Sequence, residues 1–459
     1  MTRETIDRIL TIEREATNTF REAQQNAVDA LEDAKTAAAA LYDETILSLN
    51  QQADEILKAG HESADSERAR IVATAESEAS IMETRAAKHL GEAVDFVLGQ
   101  VTGRQYPMSA RGVAAYSLVH AAVRALKSNM LSEEMWTALI QAQDFEAILN
   151  LLSKTVYGPY LDIEHPGMTP RRAVYQIRWH QTGVFEKVIQ LTDEPGKQLL
   201  LQIWQGYEVD NLKATLRGIE NGASWDQVLH LLSPMKKFVR LTTEDMERMI
   251  RSGSIAHAID QISHSPYYDT LRHALARYQA EGSLFPLEVA LDIDHHRKLW
   301  DSIQQLKGLD HTHALRLVGT IIDVDNILWA IRYRVYHHLS EQEIINYTLP
   351  FGYKVKDEDI RAIAAGSDIT TIVRRIYPDL PGIGQLIDRP GPELLQLERV
   401  LQRNIAAECR ATFLGNPFHI GVPLAFLYLN EFEIRNLTTL IEAKSSHLSN
   451  EVCVNMLVM

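Results

Sequence analysis

A short motif recurs three times at nearly even spacing, and it restricts the possible folds more than any other feature. Glu208-Val209-Asp210-Asn211-Leu212 is followed by Arg217, and Asp323-Val324-Asp325-Asn326-Ile327 is followed by Arg332. Glu431-Phe432-Glu433-Ile434-Arg435-Asn436-Leu437 has the same sense, with one residue inserted before the asparagine. Asn211, Asn326 and Asn436 lie 115 and 110 residues apart. Self-similarity at a fixed spacing marks one supersecondary unit used several times.

Other signals repeat in step. Leu131-Ser132-Glu133-Glu134, Leu241-Thr242-Thr243-Glu244-Asp245 and Lys356-Asp357-Glu358-Asp359 look like helix starts. A hydroxyl there accepts free N–H groups of the first turn, and acids suit the helix dipole. Between each start and its motif lies a Tyr/Pro turn: Tyr157-Gly158-Pro159-Tyr160, Ser265-Pro266-Tyr267-Tyr268 and Ile376-Tyr377-Pro378. Proline ends the preceding helix. Leu199, Leu200, Ile203, Trp204 and Tyr207 share one helical face, as do Leu317, Ile321, Val324 and Leu328. Alternating strand patterns are scarce, so the expected class is all-α, in repeats of about 109–225, 226–340 and 341–459.

The motif invites a role. An acid and an arginine six or seven residues later lie within two helical turns and can bond to neighbouring helices. The asparagine can satisfy buried backbone ends where helices meet. Packing and helix-joint chemistry is expected over catalysis, because a motif used three times serves a shape used three times.

The first hundred residues differ. No proline precedes Pro107, and Ala, Glu, Gln, Lys and Arg dominate, all strong helix formers. Steps of eleven from Ala16 give Ala27, Ala38, Leu49, Gly60, Ile71, Met82 and Ala93. Steps from Ile9 give Phe20, Leu31, Tyr42, Ala53, Ala64, Ala75, Ala86 and Val97. Eleven residues in three turns is about 3.67 per turn, which pulls a paired helix into a right-handed supercoil. The stripe is thin, so a partner helix is expected. Gly99, Gly103 and Pro107 break the pattern, giving a coiled-coil helix over 1–100 and a linker at 101–108.

Charge and cysteines narrow the function. The formal net charge is −15. Residues 1–100 hold 10 Lys and Arg against 20 Asp and Glu. That balance argues against nucleic acid, which needs clustered cations. Two cysteines, Cys409 and Cys453, make no disulfide scaffold and suit a reducing compartment. The apolar stretch around Gly421 to Leu429 is far short of the ~20 residues that span a bilayer. No phosphate-binding loop occurs, and Gly382-Ile383-Gly384 lacks the rest of a dinucleotide signature. The histidines at His295-His296, His311-Thr312-His313 and His337-His338, with Asp292 and Asp294, lack metal-ligand spacing. No catalytic residue, cofactor or metal ligand is expected.

The segment of about 5–102 resembles the small peripheral-stalk subunit of archaeal/vacuolar-type ATPases, known as G or H. The resemblance rests on Ile9 to Phe20, the repeated Glu-Ala steps and the ending Ala93-Val94-Asp95-Phe96-Val97. It implies pairing with an E-type stalk subunit. From about Met108 the chain resembles the funnel subunit of rotary ATPases, known as d in vacuolar and C in archaeal enzymes. The matching stretches are Val123-Arg124-Ala125-Leu126-Lys127-Ser128 with Leu131-Ser132, Leu152 to Tyr157, the three motifs and Glu433 through Glu442.

That resemblance implies a pseudo-three-fold helical funnel on the cytoplasmic face of the plasma membrane. It would sit on the membrane rotor ring and receive the D/F central shaft, binding no nucleotide or ion. The two resemblances conflict mechanically, one being stator and the other rotor. A linker of ~10 residues reaches at most ~35 Å and cannot allow full turns. Separate production of the two parts, or two coding units run together, is expected over a helix that rides with the rotor. Two other readings are a free-standing helical-repeat adaptor with a dimerising coiled coil, and a metal enzyme built on the His-rich middle.

Overall fold

The computed structural model describes residues 8, 10–33, 35–37, 58, 69, 110–161, 168–378, 380 and 392–458. Most of the eleven-residue tracks, the 101–108 linker and the Gly382-Ile383-Gly384 loop lie outside those residues. The chain divides into two units, Met1–His89 and Leu90–Met459. In the first, residues 10–33 form helix α1, and every described side chain is exposed. Ile12, Phe20 and Leu31 are more than half exposed, an open apolar stripe on an otherwise charged helix.

Among the described residues of the second unit every regular element is helical, with no strand. Its elements are α2 (Ala110–Lys127), α3 (Glu133–Gln141), α4 (Phe145–Leu152), a short 3₁₀ turn (Gly158–Tyr160), α5 (Pro170–Leu191) and α6 (Gly196–Glu220). Then come α7 (Trp225–Leu229), α8 (Thr243–Arg251), α9 (Ile255–Gln261), α10 (Tyr268–Glu281), α11 (Phe285–Gln304) and α12 (Gly308–Val335). The last are α13 (Glu341–Tyr347), α14 (Asp357–Ala364), α15 (Ile369–Ile376), α16 (Pro392–Ala411), α17 (Gly421–Ser445) and α18 (Asn450–Met456).

Local chemistry sets these boundaries. Ser132 caps α3, Thr242 with Asp245 forms a capping box on α8, and Asp144 and Ser254 cap α4 and α9. Each satisfies first-turn N–H groups that lack an intrahelical partner. At α14 the Asp359 carboxylate accepts the Lys356 N–H at 2.9 Å, doing the same work from inside the helix. The prolines fall as the turn signals require. Pro159 sits in the 3₁₀ turn, Pro266 between α9 and α10, and Pro378 beyond α15.

Each motif lies on a long helix: Asn211 on α6, Asn326 on α12 and Asn436 on α17. The helix that precedes each of these packs on the motif helix of the copy before it. Thus α11 packs on α6, α16 on α12 and α5 on α17. The last pairing returns to the start, so the order of contacts is cyclic. The core follows the same plan. Leu212 and Leu216 of α6 are buried with Met246, Met249, Ile255 and Ile259 of α8 and α9. Leu437, Leu440 and Ile441 of α17 are buried with Trp136, Leu139, Ile148 and Leu152 of α3 and α4. The largest core joins the long helices, with Phe185, Trp204, Ile322, Ile327 and Phe426 at under 3% exposure. Burying such side chains stabilises by about 1.5–3 kcal/mol each.

Candidate functional site

The three motifs build three joints with one hydrogen-bond skeleton. Each asparagine pairs with one downstream residue in both directions, and Asn326 donates in addition to Phe351 O at 3.3 Å. The Asn211 amide donates to Ser233 O at 2.8 Å, and its carbonyl accepts the Ser233 N–H at 2.7 Å. Asn326 does this with Leu349 at 3.1 and 2.8 Å. Asn436 does it with Val458 at 2.9 Å each way. A carboxamide carries one acceptor and two donors, so it can stand in for a peptide and close a chain end that would otherwise be buried unpaired. The partner follows α7, α13 and α18 respectively.

The acids three residues earlier hold the next copy. Glu208 accepts the N–H groups of Arg240 and Leu241 at 2.5 Å, and the Tyr267 hydroxyl at 2.6 Å. Asp323 accepts from Tyr353, Lys354 and Val355 at 2.8, 2.7 and 3.2 Å, and from the Tyr377 hydroxyl at 3.3 Å. Glu433 accepts from Leu131 at 2.9 Å and from the Tyr157 hydroxyl at 2.6 Å. Each bonded segment immediately precedes a helix start, so the carboxylate lies at the positive end of a dipole. Each tyrosine comes from a Tyr/Pro turn. Burial raises the Glu208 and Glu433 carboxyls and pushes Asp323 up to about 6, against the pull of these donors. Burial and the facing carboxylates raise the tyrosines as well. Gly352 is required here, because a Cβ on it would stand 2.2 Å from Asp323 Oδ1.

This register corrects the reading of the third copy. Glu433 takes the place of Glu208 and Asp323, three residues before its asparagine, and no residue is inserted. Glu431 lies outside the skeleton: it accepts the Tyr207 hydroxyl at 3.0 Å and pairs with Arg435 at 2.9 Å. The arginines behave alike in two copies only. Arg217 meets Glu288 of α11, and Arg332 meets Glu398 of α16, both at 2.6 Å. Six residues after Asn436 stands Glu442, and 110 residues before Glu288 stands Arg178 of α5. The residue types are exchanged there: burial lowers the Arg178 pKa against the opposing pull of Glu442, and the guanidinium donates to Leu231 O at 3.0 Å.

The remaining motif acids face different surroundings. Asp210 bonds Lys213 at 2.9 Å, and Lys213 reaches Asp292 at 2.7 Å. Burial opposes the lysine's charge, but both carboxylates raise its pKa overall. Asp325 lies 3.4 Å from His296 Nε2, which stacks edge-on against Trp329. Neighbouring His295, pressed among Lys213, His296 and Lys298, is pushed down by burial to about 3. One copy further on, α12, α16 and α17 line a cavity of about 550 Å³ with Leu328, Gln402, Ile405, Arg399 and Thr439.

The histidines are joint and surface residues. His313 stacks on buried His419 at 3.6 Å, and His337 and His338 are exposed. No group of three metal-binding side chains exists among the described residues. Cys409 is a fully buried core residue, its thiol pushed up to about 12 by burial. No helix among the described residues is long and apolar enough to cross a membrane.

The sequence model of the ATP synthase (C/AC39) subunit family matches residues 119–456. The chain belongs to that family. It is therefore a structural component of the synthase and not the catalytic one. Several archaeal proteins named as the C subunit of A-type ATP synthase are similar along their length. That of Methanocaldococcus jannaschii is 19% identical over 75% of this chain and 87% of its own. That of Methanothermobacter thermautotrophicus is 23% identical over 72% and 84%. That of Methanosarcina barkeri is 21% identical over 78% and 97%. The family match takes in the three acids, the three tyrosines and the three asparagines, with all their partners except Val458.

Proposed function

We propose that residues 109–459 are the central-stalk coupling subunit of a rotary A-type or V-type ATPase. It links the D/F shaft of the ATPase head to the membrane rotor ring and serves proton or sodium transport. The observation that carries this reading is the cyclic skeleton: three motif helices, each clamped to the next copy, the last clamped to the first. A closed set of braced helices resists shear, which a part that transmits twist needs. The chain works on the cytoplasmic face of the plasma membrane, held there by its partners.

The first unit we assign to an E-type stalk partner. Its support is the stripe of Ile12, Phe20 and Leu31, which α1 leaves exposed. Joining a stator helix to a rotor part stops rotation, so the two parts are separate in the working complex.

The test is purification from membranes under mild detergent, followed by imaging and mass spectrometry. The expected result is a rotor ring and ATPase head with the 109–459 portion between them. Finding neither partner, with a stable homodimer through residues 1–100 instead, overturns the assignment in favour of a free-standing adaptor. An intact 459-residue chain in a rotating complex overturns the separation of the two parts.

A further inference from the structure

The three joints share a skeleton but not a chain path. At the first joint, Glu208 reaches residues 33 and 59 positions away, Leu241 and Tyr267. At the second, Asp323 reaches residues 32 and 54 positions away, Val355 and Tyr377. At the third, Glu433 reaches Leu131 and Tyr157, separated from it by 302 and 276 positions. The first two joints are therefore stapled by a short covalent loop. The third is closed by side chains and packing alone.

Two further features occur only at this third joint. The residue types at its charged positions are exchanged, Arg178 on α5 and Glu442 on α17. It also carries α2. No helix lies between α7 and α8, or between α13 and α14, where α2 would stand in the other copies. Helix α2 packs against both α5 and α17, the two helices that meet there. Its Tyr116, Val119 and Val123 are buried in the core with Val184, Phe185 and Val188 of α5 and Val422, Phe426 and Leu429 of α17.

We infer that the α5–α17 joint is a seam at which the cyclic array opens, and that α2 is the clasp that holds it shut. The clasp substitutes for the loop that the other joints possess. Opening the seam frees Glu433 from Leu131 and Tyr157 and exposes Ile434, Leu437 and Ile441. The other two joints stay closed, because their loops keep the partners at high local concentration. The inference concerns this fold alone and holds whether or not the chain serves a rotary complex.

Hydrogen exchange of the full chain, read by mass spectrometry, tests it. Peptides covering 130–132, 434–441 and 454–458 are expected to exchange about tenfold faster than their counterparts at 240–246, 209–216 and 231–233, as a separately opening unit does. The double variant V119A/V123A widens that ratio by about a further tenfold, leaving 209–216 and 231–246 unchanged. E442R, which sets two arginines against each other, also widens it, and R178E/E442R returns it to the starting value. Equal protection at all three joints in the unaltered chain overturns the seam. A uniform loss of protection in V119A/V123A makes α2 ordinary core and overturns the clasp.

Discussion

The joint formed by α6, α11 and α12 and the one formed by α12, α16 and α17 have the same skeleton and opposite interiors. In the first, Lys213, Asp292, His295, His296 and Trp329 fill the space between the helices. In the second, the equivalent positions are Leu328, Gln402, Ile405, Ala406 and Thr439, and a cavity of about 550 Å³ remains. Backbone-capping residues recur because each satisfies a peptide group in the same place. The facing residues are free to differ, because they answer only to each other. Shape is held by one set of side chains, and the interior is written by another.

That division can be broken by attacking the skeleton. Asp323→Ala strands three N–H groups, that of Val355 buried, and a buried phenol, and unfolding free energy is expected to fall by about 3–5 kcal/mol in urea titration. Glu208→Ala should cost a similar amount. A cost under about 1 kcal/mol for both would show that the skeleton does not brace the fold.

The interiors are tested by exchanging them. Lys213→Leu alone leaves Asp292 without its cation and should cost about 2–3 kcal/mol. The double change K213L/D292Q gives the first joint the second joint's residues at two of those five positions, and about half of that loss should return. A double-mutant cycle measures the coupling, and strict additivity would contradict it.

Acid separates the two joints next. Burial holds His295 down to about 3, while an unfolded histidine titrates near its usual 6.5. A depressed pKa contributes stability that is complete above pH 6.5 and is lost as pH falls towards 3. Between pH 7 and 5 the loss is about 1–2 kcal/mol, and His295→Ile, the second joint's residue, should remove it. Asp323 has the opposite sign. Raised to about 6, its contribution is complete below the ordinary 3.8 and fades as pH rises through 6. Denaturant midpoints at several pH values in the single variants read both slopes.

The smallest effect concerns the rim. Arg217 is more than half exposed, so Arg217→Ala should cost only about 0.5 kcal/mol and less in high salt, as thermal unfolding would report.

Much of the skeleton is legible in the sequence. The acid and the asparagine stand three residues apart on a helix, and the helix starts and Tyr/Pro turns announce themselves through capping residues and proline. The pairing between them is not legible, because nothing local says that Glu433 reaches back to Leu131. The third copy misaligns for a physical reason: Arg435 stands where the others have aspartate, so Glu431 and Glu433 both qualify as the acid. The 110-residue step from Asp323 is the signal that points to Glu433. The exchanged Arg178 and Glu442 escape notice because the exchange erases the arginine that marks the other two copies. The all-helical class follows directly from periodicity, whereas the filling of each joint depends on contacts between distant helices.

The asparagine grips a loop where it begins, at Ser233 or Leu349, and the acid grips it where it ends, at Leu241 or Val355. Between the first pair of grips the loop is also tied to α5 and α6: Lys237 donates its N–H to Glu186 at 2.6 Å and accepts the Trp204 indole N–H at 3.0 Å. The loop's length therefore works as a ruler for the spacing of α5, α6 and α8, and a residue inserted there would shift one grip against the other.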